Sequence, residues 1–193
     1  MVLLIACDHF AAQTFSADTE LNDPLNTKRR EFRELLLKSI DQFDPTLIAE
    51  EHHPEILEKR NRRSIAIEVA SETNIRHRFC EPSFKDKEEL GINGPQSELV
   101  DKGRQATYNY FLREWPIREE FWIDQLGEDI HQRVLFVCGA HHRETLRRRL
   151  ERRKIEVKII EKRFGASKFP KSDFPAYKAA YRELRRNGFM PVS

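Results

Sequence analysis

The sequence predicts an α/β fold, with a mainly parallel central sheet of about five or more strands and helices on both faces. Its functional site is expected at the sheet's carboxyl edge. Three observations carry this. Short apolar runs alternate with longer segments of helical period along the 193 residues. The runs are near-continuously apolar, as in strands covered on both faces. The length suits one domain of about 150 residues plus an appendage.

Val2 to Cys7 read as a buried first strand. Residues 27–43 read as a helix, with Phe32, Leu35, Leu36 and Ile40 on one face and Asn26 or Thr27 as its cap. Asp44-Pro45 breaks it, and Thr46 to Glu50 form a second strand. Pro54 suits a first helical turn, and apolar positions from Ile56 to Val69 predict a helix over 54–74, although Glu58 to Ser64 is very polar. Arg76 to Glu81 form a third strand. Pro82, Gly91, Gly94, Pro95 and Gly103 mark 82–103 as a long, lid-like loop. An aromatic-rich helical region is expected over 104–129, broken or kinked at Pro116. Val134 to Cys138 is the clearest strand; a helix over 142–153 and a fifth strand at 155–160 follow. The α/β domain is assigned to 1–163. Residues 164–193 are assigned to a C-terminal extension packing on it, with a short helix near 174–186.

Composition removes several function classes. Lys+Arg total 34 and Asp+Glu 32, a net charge of +2. That balance argues against a dedicated nucleic-acid binder, for which a strongly basic domain is expected. Mean hydropathy is −0.69, and no apolar run approaches the roughly 18 residues of a membrane span. Cys7, Cys80 and Cys138 are too few, and odd in number, for a disulfide framework. Buried thiols in a reducing compartment are expected. Asp8-His9 cut short the apolar start, so 2–7 is read as a strand and not a signal peptide, and a cytoplasmic location is expected.

Five of the seven histidines follow three of the strand ends. Asp8-His9 follow the first, Glu50-Glu51-His52-His53 the second, and Gly139-Ala140-His141-His142 the fourth; the third carries His77 and ends in Glu81. Ligands of open α/β sheets bind outside the carboxyl ends of the strands. His9 and His142 share the same offset after an apolar strand; the bland alternative is a capping or buried, satisfied histidine. Strand alternation sends Glu50 and Glu51 to opposite faces, and Glu50 is assigned to the site. Imidazole with carboxylate suits Zn, Mn or Fe, and equally suits metal-free acid–base work. Arg118 reads by itself as a surface helix charge; a functional arginine there would orient a carboxylate or bind an anion. The basic run from Arg143 to Lys154, with its Leu146–Leu150 seam, reads as a solvated helix face before a polyanion patch.

These residues resemble the superfamily that groups TraB/PrgY pheromone-shutdown proteins, TIKI proteases, ChaN-like haem-binding lipoproteins and erythromycin-esterase-like enzymes. That family carries two GxxH motifs after strands, acidic residues at intervening strand ends, and an Arg-containing helix before the second GxxH. Gly139-Ala140-His141-His142 matches the second motif, placing the family histidine on His142. Ala6-Cys7-Asp8-His9 corresponds to the first, with Ala for Gly and the histidine at His9. Glu50, Glu81 and Arg118 correspond to the acidic and arginine positions. The likeness covers roughly residues 1–160 and implies divalent-metal-dependent hydrolysis, metal-independent ester hydrolysis or haem binding, without choosing among them.

The expected function is therefore a small cytoplasmic hydrolase of an unknown ester or amide, acting on a small-molecule or peptide substrate. His9, Glu50 and His142 form its centre and Glu81 is an added acidic ligand. Arg118 would hold Glu50 or Glu81, or stabilise developing negative charge. Either a divalent metal (Mn, Zn or Fe) held by His9, Glu50, Glu81 and His142 activates water, or Glu50 is the general base while a histidine protonates the leaving group. The alternative is a non-catalytic domain binding a metal, haem or small ligand in the same pocket. Nucleic acid and membrane partners are not expected.

Overall fold

The computed structural model describes residues 1–7, 14–16, 24–92, 110–164 and, near the C-terminus, 179, 180, 182, 183 and 186. Among the described residues the elements run in the order β1 (Val2–Cys7), β2 (Thr14–Ser16), α1 (Pro24–Phe43), β3 (Leu47–Glu50), α2 (Pro54–Lys59), β4 (Arg62–Ser64), α3 (Ile65–Glu72), β5 (Arg76–Phe79), α4 (Phe84–Glu89), α5 (Trp115–Leu126), β6 (Val134–Gly139), α6 (Arg143–Arg152) and β7 (Val157–Phe164). Five strands make one all-parallel sheet in the order β5-β3-β6-β1-β7. β2 and β4 pair antiparallel in a separate ribbon. The protein has the α/β fold that the sequence predicts.

Both faces of the sheet are covered, which is why its central strands are apolar throughout. On one face Phe32 and Leu36 of α1 and Ile65, Val69 and Ala70 of α3 pack on Ile5, Ile48, Leu135 and Val137. On the other, Trp122, Ile123 and Leu126 of α5 and Leu146 and Leu150 of α6 pack on Leu4, Leu47, Ala49 and Phe136. Period-two alternation sorts each strand between the layers: Leu135 and Val137 go one way, Val134, Phe136 and Cys138 the other.

Several elements differ from the sequence expectation. The single helix over 54–74 is two. Asn61 takes φ 48°, turning the chain, and Arg62–Ser64 pair with Thr14–Ser16. Ser64 then caps α3 by accepting from Ala66 N–H. The polar stretch 58–64 has no apolar seam to hold it helical. The lid-like loop begins with α4, closed by a reciprocal capping box between Ser83 and Asp86. Gly91 follows with φ +66°, a conformation that favours glycine. Residues 93–103 of that expected loop lie outside the described residues.

Residues 104–109 of the expected 104–129 helix lie outside the described residues; the rest is a π-turn at Tyr110–Glu114, then α5, then a 3-10 turn at Gly127–His131. Pro116 does not break it. It sits in the first turn of α5, directly after the change from π-turn to α-helix at Glu114–Trp115. β5 stops at Phe79, and β7 runs Val157–Phe164 instead of 155–160. Ile155 lies in the turn before β7, where it seals the core. The described residues near the C-terminus are helical, within the expected 174–186 segment, and Ala180 is buried. Among the described residues, no helix is long and apolar enough to cross a membrane.

Candidate functional site at the carboxyl edge

Parallel register brings four strand ends to one edge. Glu50 lies beside Val137 and Phe79, and Cys7 beside Gly139. The backbone pairing extends past the strands: Glu51 N–H donates to Val137 O at 2.9 Å, Glu81 N–H to His52 O at 3.2 Å and Ala140 N–H to Cys7 O at 3.0 Å. The side chains that follow form two clusters, one on each face.

Glu50 belongs to the face covered by α1 and α3, with Ile48 two residues before it in that core layer. It is fully buried, and Ser64 Oγ donates to its Oε2 at 2.7 Å. His77 Nε2 lies 2.8 Å from Oε1. Burial pushes the Glu50 carboxyl up, but the His77 hydrogen bond, nearby His52 and the Ser64 hydroxyl together pull it below its usual 4.5. The carboxylate is ionised at neutral pH, so His77 donates to it through Nε2.

Glu51 points the other way, toward α5 and α6. Its Oε2 accepts from Gly139 N–H at 2.7 Å and its Oε1 from Arg118 Nη2 at 2.8 Å. The same guanidinium reaches Glu81 Oε2, through Nε at 3.2 Å and Nη2 at 2.8 Å. Trp122 Nε1 donates to that oxygen at 3.0 Å, and Lys87 Nζ is 2.7 Å from Glu81 Oε1. Burial pushes Glu81 up; Arg118 and Lys87 overcome it and hold the carboxyl below its usual 4.5. A buried carboxylate persists as an anion only with such partners.

His142 lies at the start of α6, 4% exposed. Its ring sits between Trp115 and Trp122, with centroids 4.4 and 4.7 Å away. Its Nδ1 lies 2.8 Å from Glu119 Oε1, and Nε2 lies 3.5 Å from Glu51 Oε1. Glu119 is fully buried on α5 and also accepts from Thr145 Oγ1 and, at 2.8 Å, from Arg149 Nε. A carboxylate on Nδ1 fixes the ring's orientation and tautomer, the arrangement that prepares an imidazole to exchange a proton through Nε2.

No family model, curated protein or solved structure matches the chain.

The structure therefore brings Arg118, Glu81 and His142 into one network, joined by Glu51. Glu50 stands apart from it, on the opposite face with His77 and Ser64. His9 lies outside the described residues. Glu81 and Glu50 each spend both oxygens on other groups, and both nitrogens of His142 face carboxylates. Among the described residues, no group of three or more His, Cys, Asp and Glu side chains is arranged to hold a metal ion. Glu50, Glu81 and His142 do not fit a shared divalent metal. A ring enclosed by two tryptophans with carboxylates at both nitrogens does not fit as a haem ligand.

The sequence reading preferred Glu50 to Glu51, placed Arg149 on a solvated face and Trp122 among aromatics of a helical region, and did not single out Glu119, Lys87 or Thr145. A usable signal existed on α5, since Arg118 and Trp122 are four residues apart and stack on one helical side, with the guanidinium 5.3 Å from the indole centroid. The Arg143–Lys154 run is not uniformly a solvated face. Arg149 is 3% exposed and holds Glu119, with Nη1 2.5 Å from Glu120. Arg147 pairs with Glu144 and Glu151, Arg148 with Glu144, and Arg153 with Glu120 and Asp124.

Proposed function

We propose that the protein is a small hydrolase of an ester or amide, acting without a metal through His142 at the carboxyl edge. The supporting observation is the pairing of His142 Nδ1 with buried Glu119, which orients the ring so that Nε2, 3.5 Å from Glu51 Oε1, is the nitrogen assigned to the chemistry. In this reading water attacks the substrate carbonyl carbon while Nε2 takes the water's proton. The tetrahedral intermediate then collapses, and Nε2 returns the proton to the departing alkoxide or amine. Glu119 is a positioning residue. Arg118 is another: by neutralising Glu51 and Glu81 together, it allows two carboxylates to share the edge with the histidine.

The substrate is a small molecule or peptide, and the setting a reducing, cytoplasmic one. Three buried thiols that form no disulfide among the described residues support that setting; burial pushes the Cys80 thiol up to about 12. The GxxH resemblance at His142 supports the reading through residue type and place. The second reading, a non-catalytic binding domain, is favoured by the saturation of Glu81, whose oxygens already carry Arg118, Trp122 and Lys87.

The test is turnover of short-chain nitrophenyl esters and anilides by purified protein in excess chelator. The expected result is turnover that His142→Ala lowers by about 10²–10⁴-fold, the usual range for a positioned acid–base group. No turnover by the natural sequence, or equal turnover by the variant, removes the hydrolase reading. Loss of turnover in chelator removes its metal-free form.

A further inference from the structure

A pocket of about 440 Å³ opens beside the edge strand β5, on whose wall Glu81 is the residue shared with the Arg118 network. The wall takes His77 and Phe79 from β5, Phe121 and Gln125 from α5, His53 from the start of α2, and Asp86 from α4. Such a volume holds a small ring system, and three features of the wall limit its chemistry.

The apolar part is aromatic. Phe79 and Phe121 are half-buried, and the Phe79 ring meets the His77 ring edge-on, with centroids 4.6 Å apart. Aromatic walls favour a flat aromatic ligand, which gains quadrupole contacts beyond area burial. The polar part includes His77, whose Nε2 lies 2.8 Å from Glu50 Oε1.

The charged part selects against anions. Arg78 is the wall's guanidinium, and it is committed: Nη1 donates to Gln125 O at 2.8 Å and Leu126 O at 3.0 Å, and Nη2 to Asp129 at 2.7 Å. Asp86 is held as a carboxylate, because the Ser83 hydroxyl and backbone N–H donate to its Oδ2 at 2.6 and 2.9 Å. Glu81 lies on the wall as well, with its oxygens already carrying Arg118, Trp122 and Lys87.

We propose that this pocket binds a flat aromatic group bearing a cationic or neutral N–H substituent, such as an aryl amidine or heteroaryl amine. The ring lies against Phe79 and Phe121, and the N–H groups are donated to Asp86. The proposal concerns recognition and stands whether or not the protein hydrolyses anything.

The test is calorimetric titration of the full chain with benzamidine, benzoate and cyclohexylamine, without turnover as a readout. Benzamidine is expected to bind at least about tenfold more tightly than benzoate, a difference of about 1.4 kcal/mol. Phe121→Ala is expected to weaken benzamidine by about 2–10-fold, the worth of one aromatic contact. Asp86→Asn, which keeps an acceptor for Ser83, is expected to narrow the gap between benzamidine and benzoate. Benzoate binding as well as benzamidine, cyclohexylamine matching it, no benzamidine binding at millimolar concentration, or binding indifferent to Phe121→Ala would each overturn the proposal. The ligand comparisons need no variant, so misfolding of a variant does not decide the outcome.

Discussion

Arg118 holds two buried carboxylates with one guanidinium, and its removal leaves Glu51 and Glu81 without their main counter-charge. Arg118→Met is expected to cost about 3–5 kcal/mol, as breaking one side of a buried ion pair does. Urea denaturation measures it, and an unchanged midpoint contradicts the account. Glu81 also sets a pH dependence. Its native carboxyl lies below the usual 4.5. Its contribution is therefore fully present above about pH 4.5 and is lost as pH falls through the lowered native value. The stability gap between the natural sequence and Glu81→Gln should be widest at neutral pH and close on acidification; a constant gap from pH 7 to 3 contradicts this. At this scale the sequence was half legible. Alternation separates Glu50 from Glu51, but which face holds the arginine depends on where α5 packs, and no local pattern in β3 contains that. Arg149 was read as solvated because charge is usually exposed. Its burial follows from its partner, Glu119, thirty residues earlier in the chain.

The elements were legible where apolar periodicity was strong and illegible where hydrogen bonds set the structure. β1, β3 and β6 stand near their expected bounds because their residues are buried. The break between α2 and α3 depends on Ser64 and on pairing with the distant β2, and the polar run before it offers no periodicity to read. The helix α4 was hidden by nearby glycines and prolines, although Ser83 and Asp86 stand at capping-box spacing. Ser83→Ala is expected to destabilise the protein or locally unfold α4 by about 0.5–2 kcal/mol, the usual worth of an N-cap. Hydrogen exchange at Asp86 and Lys87, whose N–H groups donate to Ser83 Oγ and Ser83 O, reads it directly. Exchange as slow in the variant as in the natural sequence would remove the cap from the account.

Across the whole molecule, one sheet separates two core layers. Ile48 belongs to the α1/α3 layer and Ile123 to the α5/α6 layer. Ile48→Val and Ile123→Val are each expected to cost about 0.5–1.5 kcal/mol. Their effects should add to within about 0.5 kcal/mol, because the sheet keeps the two sites from sharing partners. Strong coupling in the double variant would contradict the layered core. The layering also explains the two clusters at the carboxyl edge: Glu50, His77 and Ser64 serve one face, and Glu51, Arg118, Glu81 and His142 the other. The edge itself was legible in the sequence, since strand ends rich in His and Glu announce it. The division into two clusters was not, because it is a property of packing. The central claim is that Glu119 prepares His142 for proton transfer, and the pH dependence of kcat/KM for the best ester tests it most directly when the natural sequence is compared with Glu119→Gln. An amide there can present its NH₂ group to Nδ1 and favour the wrong tautomer, so the account predicts a fall of about 10²–10⁴-fold with a changed profile, while the fold persists. Superimposable profiles for the two proteins would contradict it.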